Sequence, residues 1–262
     1  MSVKALALRA APFELQVSMG LVPGVTSVNK FGSYKEVGTD SVILWDAPET
    51  LDALAEYQYI DFAAPETLYV SSSDNADTST LTIWGLGLGG VEQTGTVTLQ
   101  GQTKVPVPDT VWSRTFRAWN SGTTLFAGKV YAYTDDTVSL GVPDTNGTTK
   151  LAVMAEHQQT EMAMYTVPLG HTAYLQNGKA SSGKGKDATG HFFVRSLGGV
   201  FRTNHSFLLF ENSYDYRFVC PPALPQLTDM EVRVATSTGT IEVHAAFTLC
   251  LVDDTINTLL GS

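Results

Sequence analysis

Apolar and polar residues alternate with a period of two along much of this chain. Between Leu68 and Val107 the pattern divides into four short runs, Leu68–Ser72, Thr80–Gly85, Gly95–Gln100 and Thr103–Val107. In the second, Leu81 and Ile83 point one way and Thr80 and Thr82 the other; in the third, Val97 and Leu99 alternate with Thr96, Thr98 and Gln100. Such a period, rich in β-branched residues, predicts half-buried antiparallel strands. Asp74-Asn75-Ala76-Asp77, Gly87–Gly90 and Gly101 separate the runs, and these residue types close turns by side-chain hydrogen bonding or by accepting positive φ. The stretch reads as an all-β meander.

The same pattern extends to both sides. Residues 1–40 read as an extended arm interrupted by Pro12, Gly20, Pro23, Gly24 and Gly32, with short strands at Leu15–Val17 and Val25–Phe31. The arm is apolar at Phe13, Leu15, Val17, Leu21, Val22 and Phe31, which predicts that it lies on its own domain or on a neighbour. A strand at Ser41–Trp45 precedes one expected helix, Pro48–Tyr57, where Leu51, Leu54 and Ala55 share a face and Asp46 and Glu49 suit the N-terminus. Strands at Trp112–Trp119 and Ala127–Thr134 follow. The turn-rich GVPDTNG at Gly141–Gly147 reads as a domain boundary.

The second half restarts with strands at Leu151–Ala155, Met162–Val167, Thr172–Gln176, His191–Ser196, Ser206–Phe210, Tyr214–Val219, Glu231–Ala235 and Thr240–Val252. In the last, Ile241, Val243, Ala245, Phe247, Leu249 and Leu251 face inward. The loop Ala180–Gly190, ASSGKGKDATG, reads as an exposed hairpin tip whose Ser181, Lys184 and Lys186 are candidate partner contacts. The expected architecture is all-β, with two antiparallel β-sandwich or jelly-roll-like modules, 41–147 and 148–262, behind an extended N-terminal arm, 1–40.

Composition narrows the function. The formal net charge is −10, and the basic residues form no stripe, which argues against direct nucleic-acid binding. No apolar run is long enough to span a membrane, and no export signal opens the chain, so a protein made in the cytoplasm is expected. Only 16% of residues are charged, a surface suited to burial against neighbours. Two cysteines, Cys220 and Cys250, are read as reduced thiols.

Candidate chemistry is sparse. GLGLGG at Gly85–Gly90 is followed by an alternating strand, not the helix a dinucleotide loop requires, so it reads as a turn. Asp74, Asn75 and Asp77 supply oxygen donors without the acidic partner of a calcium loop, and read as an Asx turn. The histidines, His157, His171, His191, His205 and His244, lack metal-site spacing. No cofactor or metal is expected, and the chain reads as a non-enzyme. Asp61, Glu66, Asp74 and Glu92 are the acids considered for a glycosidase pair. The aromatics around Trp112–Trp119 are considered as a sugar-binding face.

A series of motifs carries a resemblance. VNKFG (Val28–Gly32), SVILWD (Ser41–Asp46), LYVSSSDNADT (Leu68–Thr78), TVTLQGQT (Thr96–Thr103), FRAWNSG (Phe116–Gly122) and AGKVYAY (Ala127–Tyr133) occur in order. MAMYTVPLGHTAYL (Met162–Leu175), VFRTNHSF (Val200–Phe207) and FTLCLVDD (Phe247–Asp254) follow them. Together they resemble a family of virion structural proteins of tailed bacteriophages, especially phages of aquatic bacteria, over most of the chain from Val25 onward. The resemblance implies a non-enzymatic component of the particle, a head decoration or tail-associated protein that self-assembles and docks on other virion proteins. A receptor-binding tail protein recognising host glycan is the second expectation, and a polysaccharide depolymerase the third.

Overall fold

The longest alternating run, Ile241–Asp253, forms one strand in which every second residue from Ile241 to Leu251 is buried, as the period of two requires. The computed structural model describes residues 11–45, 57–183, 186–210 and 213–256. In chain order the strands are β1 (Val25–Val37), β2 (Val42–Ile43), β3 (Tyr69–Ser72), β4 (Thr80–Leu86), β5 (Glu92–Thr98), β6 (Val105–Pro106) and β7 (Arg114–Asn120). Next come β8 (Val130–Tyr133), β9 (Val138–Ser139), β10 (Val142–Pro143), β11 (Thr149–Val153), β12 (Met164–Thr166) and β13 (His171–Ser182). The last are β14 (Asp187–Arg195), β15 (Arg202–Phe210), β16 (Ser213–Arg217), β17 (Ala223–Leu224), β18 (Asp229–Thr236) and β19 (Ile241–Asp253). A short helix, α1 (Phe13–Ser18), precedes them. The fold is all-β and its sheets are antiparallel.

The first half is a sandwich. One sheet has the order β11-β8-β3-β6 and the other β5-β4-β7, and Leu68, Val70, Leu81, Ile83, Val97, Trp112 and Leu151 join them in one core. The expected meander is corrected here. Within that stretch, β3 to β6, only β4 and β5 pair as neighbours in sequence; β3 pairs with β6 and β8, so the chain crosses between sheets from β3 to β4, from β5 to β6, and again on either side of β7. Alternation reports which side chains face inward, and is silent on which strand supplies the hydrogen-bonding partner.

The second sandwich faces β1-β19-β13-β16 against β12-β18-β14-β15 around Leu175, Phe192, Leu209, Val234, Val243 and Phe247. Sheet membership does not follow the expected divisions at 40 and 147. β1 lies alongside β19 from Val25↔Val252 to Val37↔Ile241, β2 pairs with β18, and β11 pairs back onto β8. The expected extended arm is therefore a helix followed by a 13-residue strand. Leu15–Val17, expected as a strand, is helical. GVPDTNG contributes β10 and a 3-10 turn next to the first sandwich instead of separating modules. The helix expected at Pro48–Tyr57 falls, apart from buried Tyr57, outside the described residues.

β1 ties the two sandwiches together. A methyl group at Gly32 would stand 2.3 Å from the Ala163 nitrogen and 2.4 Å from the Leu44 oxygen, so only glycine lets the strand pass so close to those backbones. Beside it, buried Lys30 donates from Nζ to the Phe116 carbonyl of β7, and Arg117 Nη2 donates to the Asn29 carbonyl at 2.7 Å. Lys150, also buried, donates to the carbonyls of Gln58 at 2.8 Å and Gly147 at 2.9 Å. Burial disfavours both ammonium ions. It pushes Lys30 well below its usual range and Lys150 down to about 8, with nearby Glu66 opposing the second shift.

The unfolded chain keeps both lysines protonated up to about pH 10.4, and so binds more protons than the folded one above about pH 8. Stability accordingly rises with pH across that interval. Urea unfolding at about pH 7.5 and about pH 9.5 is expected to give a clear rise for the native chain and a smaller one for a Lys30→Met, Lys150→Met variant. Equal rises would show that these lysines are hydrated in the folded state.

Candidate docking surface

The arm is the most apolar exposed segment among the described residues. Pro12 starts α1 and Glu14 lies in its first turn, where a carboxylate suits the backbone dipole. Of the predicted contact residues on it, Val17 alone is buried. Phe13 is 53% exposed, Leu15 49% and Leu21 45%, and neighbouring Met19 is 48% exposed; Val22 is half-buried. Phe31 is in β1, half-buried, opposite Ala246 and with the Arg117 guanidinium over its ring at 5.5 Å. The structure therefore separates Phe31 from the exposed group on α1.

What lies beneath α1 explains why Leu15 and Met19 stay exposed while Phe13 and Val17 border the cleft over the sheet. The outer face of the β1-β19-β13-β16 sheet offers Ser27, Asn177, Thr248 and Arg217 to the helix. Arg217 Nη2 pairs with Glu14, and a cleft of about 440 Å³ remains between helix and sheet. The Glu14 carboxyl is held below its usual range, first by a backbone hydrogen bond at the helix start and then by Arg217. A polar face cannot drive apolar residues inward, because covering it removes little apolar surface from water.

The second predicted surface is smaller than expected. β13 runs on to Ser182 and β14 begins at Asp187, so most of Ala180–Gly190 is strand. Ser181 is exposed within β13, paired with Ser213 and His244. Lys186 is half-buried and packs against Gly239, and Lys184 lies outside the described residues. Ala180–Ser182 belong to one sheet and Asp187–Gly190 to the facing one, so the segment joins the two sheets of the second sandwich and is not the expected hairpin.

Other candidates resolve into structure. Trp112 is completely buried and Trp45 nearly so, while Trp84 packs edge-on against Phe116. Of the platform considered for sugar, Trp112 and Phe116 are thus core, while Trp119 is half-buried. Asp77 is buried and accepts hydrogen bonds from Ser72 Oγ at 2.5 Å, the Ala127 amide at 2.7 Å and the Gly128 amide at 3.1 Å, which anchors the turn. Gly87–Gly90 closes the β4–β5 hairpin, with Gly89 and Gly90 at positive φ. Cys220 and Cys250 are free thiols. Among the described residues, no group of three or more His, Cys, Asp and Glu has metal-site geometry, and no helix is long and apolar enough to cross a membrane.

A charged cluster that the sequence did not reveal sits where the sandwiches meet. Arg114 of β7 clasps Asp229 of β18 through Nε–Oδ1 at 2.7 Å and Nη2–Oδ2 at 3.1 Å. Arg195 adds a 2.6 Å contact to the same carboxylate and Thr166 another at 2.7 Å. Arg114 lies over the Phe62 ring at 4.2 Å, and Arg195 over Tyr59 at 4.2 Å and Phe201 at 4.4 Å. Beside them, Glu231 pairs with Arg233 and accepts from the Tyr59 hydroxyl at 2.8 Å. Burial pushes the Glu231 carboxyl up, against the pull of Arg233. The residues come from distant parts of the chain, so spacing gave no signal. With every carboxylate answered by guanidinium, the cluster is a clamp between sandwiches.

No family model matches the chain, and no curated protein matches it. Among solved structures, that of infectious bursal disease virus Gt strain is 12% identical, covering 92% of this chain and 78% of that one at a TM-score of 0.20. The PBSX exported protein XepA is 11% identical, covering 84% of this chain and 86% of that one at a TM-score of 0.20. The infectious bursal disease virus VP2 subviral particle is 12% identical over 92% of this chain and 77% of that one, again at 0.20.

Proposed function

We propose that this chain is a non-enzymatic structural component of a tailed-phage virion, a head decoration or tail-associated protein that self-assembles and docks on other proteins of the particle. The ordered motifs from Val28 to Asp254 support the virion assignment through their resemblance. The observation that carries the docking role is α1, whose exposed Phe13, Leu15 and Met19 are presented on a polar sheet face and anchored by buried Val17 and the Glu14–Arg217 pair. Clustered apolar side chains held outward in this way mark a contact surface, and the partner that fits is another protein of the particle.

The experiment follows from the chain path. Removing residues 1–31 would cut away the first half of β1 and unfold the second sandwich, because Val25–Phe31 pair with β19. A Phe13→Ser, Leu15→Ser, Met19→Ser variant leaves β1 intact. It is expected to melt like the native chain and to be lost from assembled particles, as measured by quantitative mass spectrometry of purified virions. Incorporation at the native copy number would remove α1 from the docking surface. The same native copy number separates the two locations, since a head decoration is present in hundreds of copies and a tail-vertex protein in small multiples of three or six.

A further inference from the structure

Sheet edges expose unpaired backbone groups, and proteins ordinarily guard them with short strands, proline, charge, bulges or a covering element. Nearly every edge described here is guarded. β6 has two residues and ends in Pro106, while β12 has three residues. β1 turns Lys30 inward and breaks register between Tyr34 and Val37. β7 and β11 pack against each other. β5 presents Glu92 and threonines to solvent.

β15 is the exception. It has nine residues, RTNHSFLLF, and among the described strands it pairs only with β14. The strand contains no lysine or proline. Its one register shift, at Asn204, leaves His205–Phe210 regular. Phe207 and Leu209 turn into the core, while Leu208 is 55% and Phe210 63% exposed. Neighbouring β16 belongs to the facing sheet, and the Tyr214 ring stacks on Phe207 at 5.1 Å, so both sheets end along one side of the sandwich.

We propose that β15 is a self-association edge, where two copies of this chain pair their β15 strands antiparallel about a two-fold axis near Leu208. Charge selects a second copy as the occupant. Each copy carries a net charge of −10, yet Ser206–Phe210 carries none, so the apposed strands place no like charges opposite each other. On β16, Asp215 pairs with Lys179 at 3.3 Å and Arg217 with Glu14, so the neighbouring strand brings both of its charges to this side already answered within the chain. The pairing would satisfy the backbone of both edges and cover Leu208 and Phe210. It deepens the self-assembly part of the proposed function and rests on it.

The test uses the full chain. Mass photometry at micromolar concentration is expected to give dimers or their multiples for the native protein, and half that mass for Leu208→Lys, Phe210→Lys at an unchanged melting temperature. In a Cys220→Ser background, Leu208→Cys is expected to form a disulfide-linked dimer on mild oxidation, whereas Cys220→Ser alone is not. A monomeric native chain, a variant that keeps its mass, or no cross-link at position 208 would each overturn the proposal. If the native chain oligomerises and the lysine variant matches it, self-assembly stands and this edge is wrong. Copy number in particles tests the virion reading independently.

Discussion

Asp229→Ala is expected to destabilise the folded protein by about 3–5 kcal/mol, because it leaves Arg114 and Arg195 without their shared carboxylate. Arg114 is 5% and Asp229 3% exposed, and the carboxylate takes hydrogen bonds from both guanidinium groups and from Thr166. The cost is mainly that of an uncompensated buried cation, which exceeds what the pair contributes over an apolar replacement. For a chain of this size the loss corresponds to a fall in Tm on the order of 10 °C. An internal comparison is available in Lys35–Glu156, whose side chains are 63% and 50% exposed. Glu156→Ala is expected to cost at most about 1 kcal/mol, since water already solvates and screens that pair. Calorimetry of both variants decides the matter; similar small losses would mean that water reaches the clamp.

Trp112→Ala is the second large effect, at about 3–5 kcal/mol. Trp112 is 0% exposed, packed in the first core, and donates from Nε1 to Thr110 Oγ1 at 3.1 Å. Removing the indole takes away its burial and leaves a cavity that two sheets cannot close without breaking strand pairing. The result also separates two functions. A sugar platform would lose ligand affinity and keep its stability, whereas a core residue loses stability. Denaturation midpoint and slope, followed by far-ultraviolet circular dichroism, give the answer; a stable Trp112→Ala protein would return the residue to the surface.

Much of the local structure was legible in the chain. Ile241–Leu251 declared both its strand and its buried face, whereas Thr80–Leu86 declared its strand through Leu81 and Ile83 but buries Thr82 on the other face as well. Both depend only on residues two apart. α1 was misread because Phe13, Leu15 and Val17 alternate as a strand would, yet only Val17 is buried. A pattern of apolar residues predicts an element only when burial imposes it, and on this helix burial does not. Of the docking candidates, Phe13, Leu15 and Leu21 are exposed, whereas Phe31 went into sheet pairing.

The amino-acid order by itself determined that this is a β protein, where most strands and turns fall, and which residues of the alternating strands form the cores. These are properties of neighbours in sequence, set by the two-residue repeat of a strand and by the turn chemistry of Gly, Asn and Asp. Tertiary structure alone decided that β1 closes against β19, that β3 and β4 enter different sheets, and that Arg114 meets Asp229 across 115 positions. It also decided that, among the described strands, β15 pairs with β14 alone. Strand pairing and buried ion pairs join segments distant in sequence, and the backbone groups that make the pairing are the same at every residue, so side-chain pattern cannot name the partner.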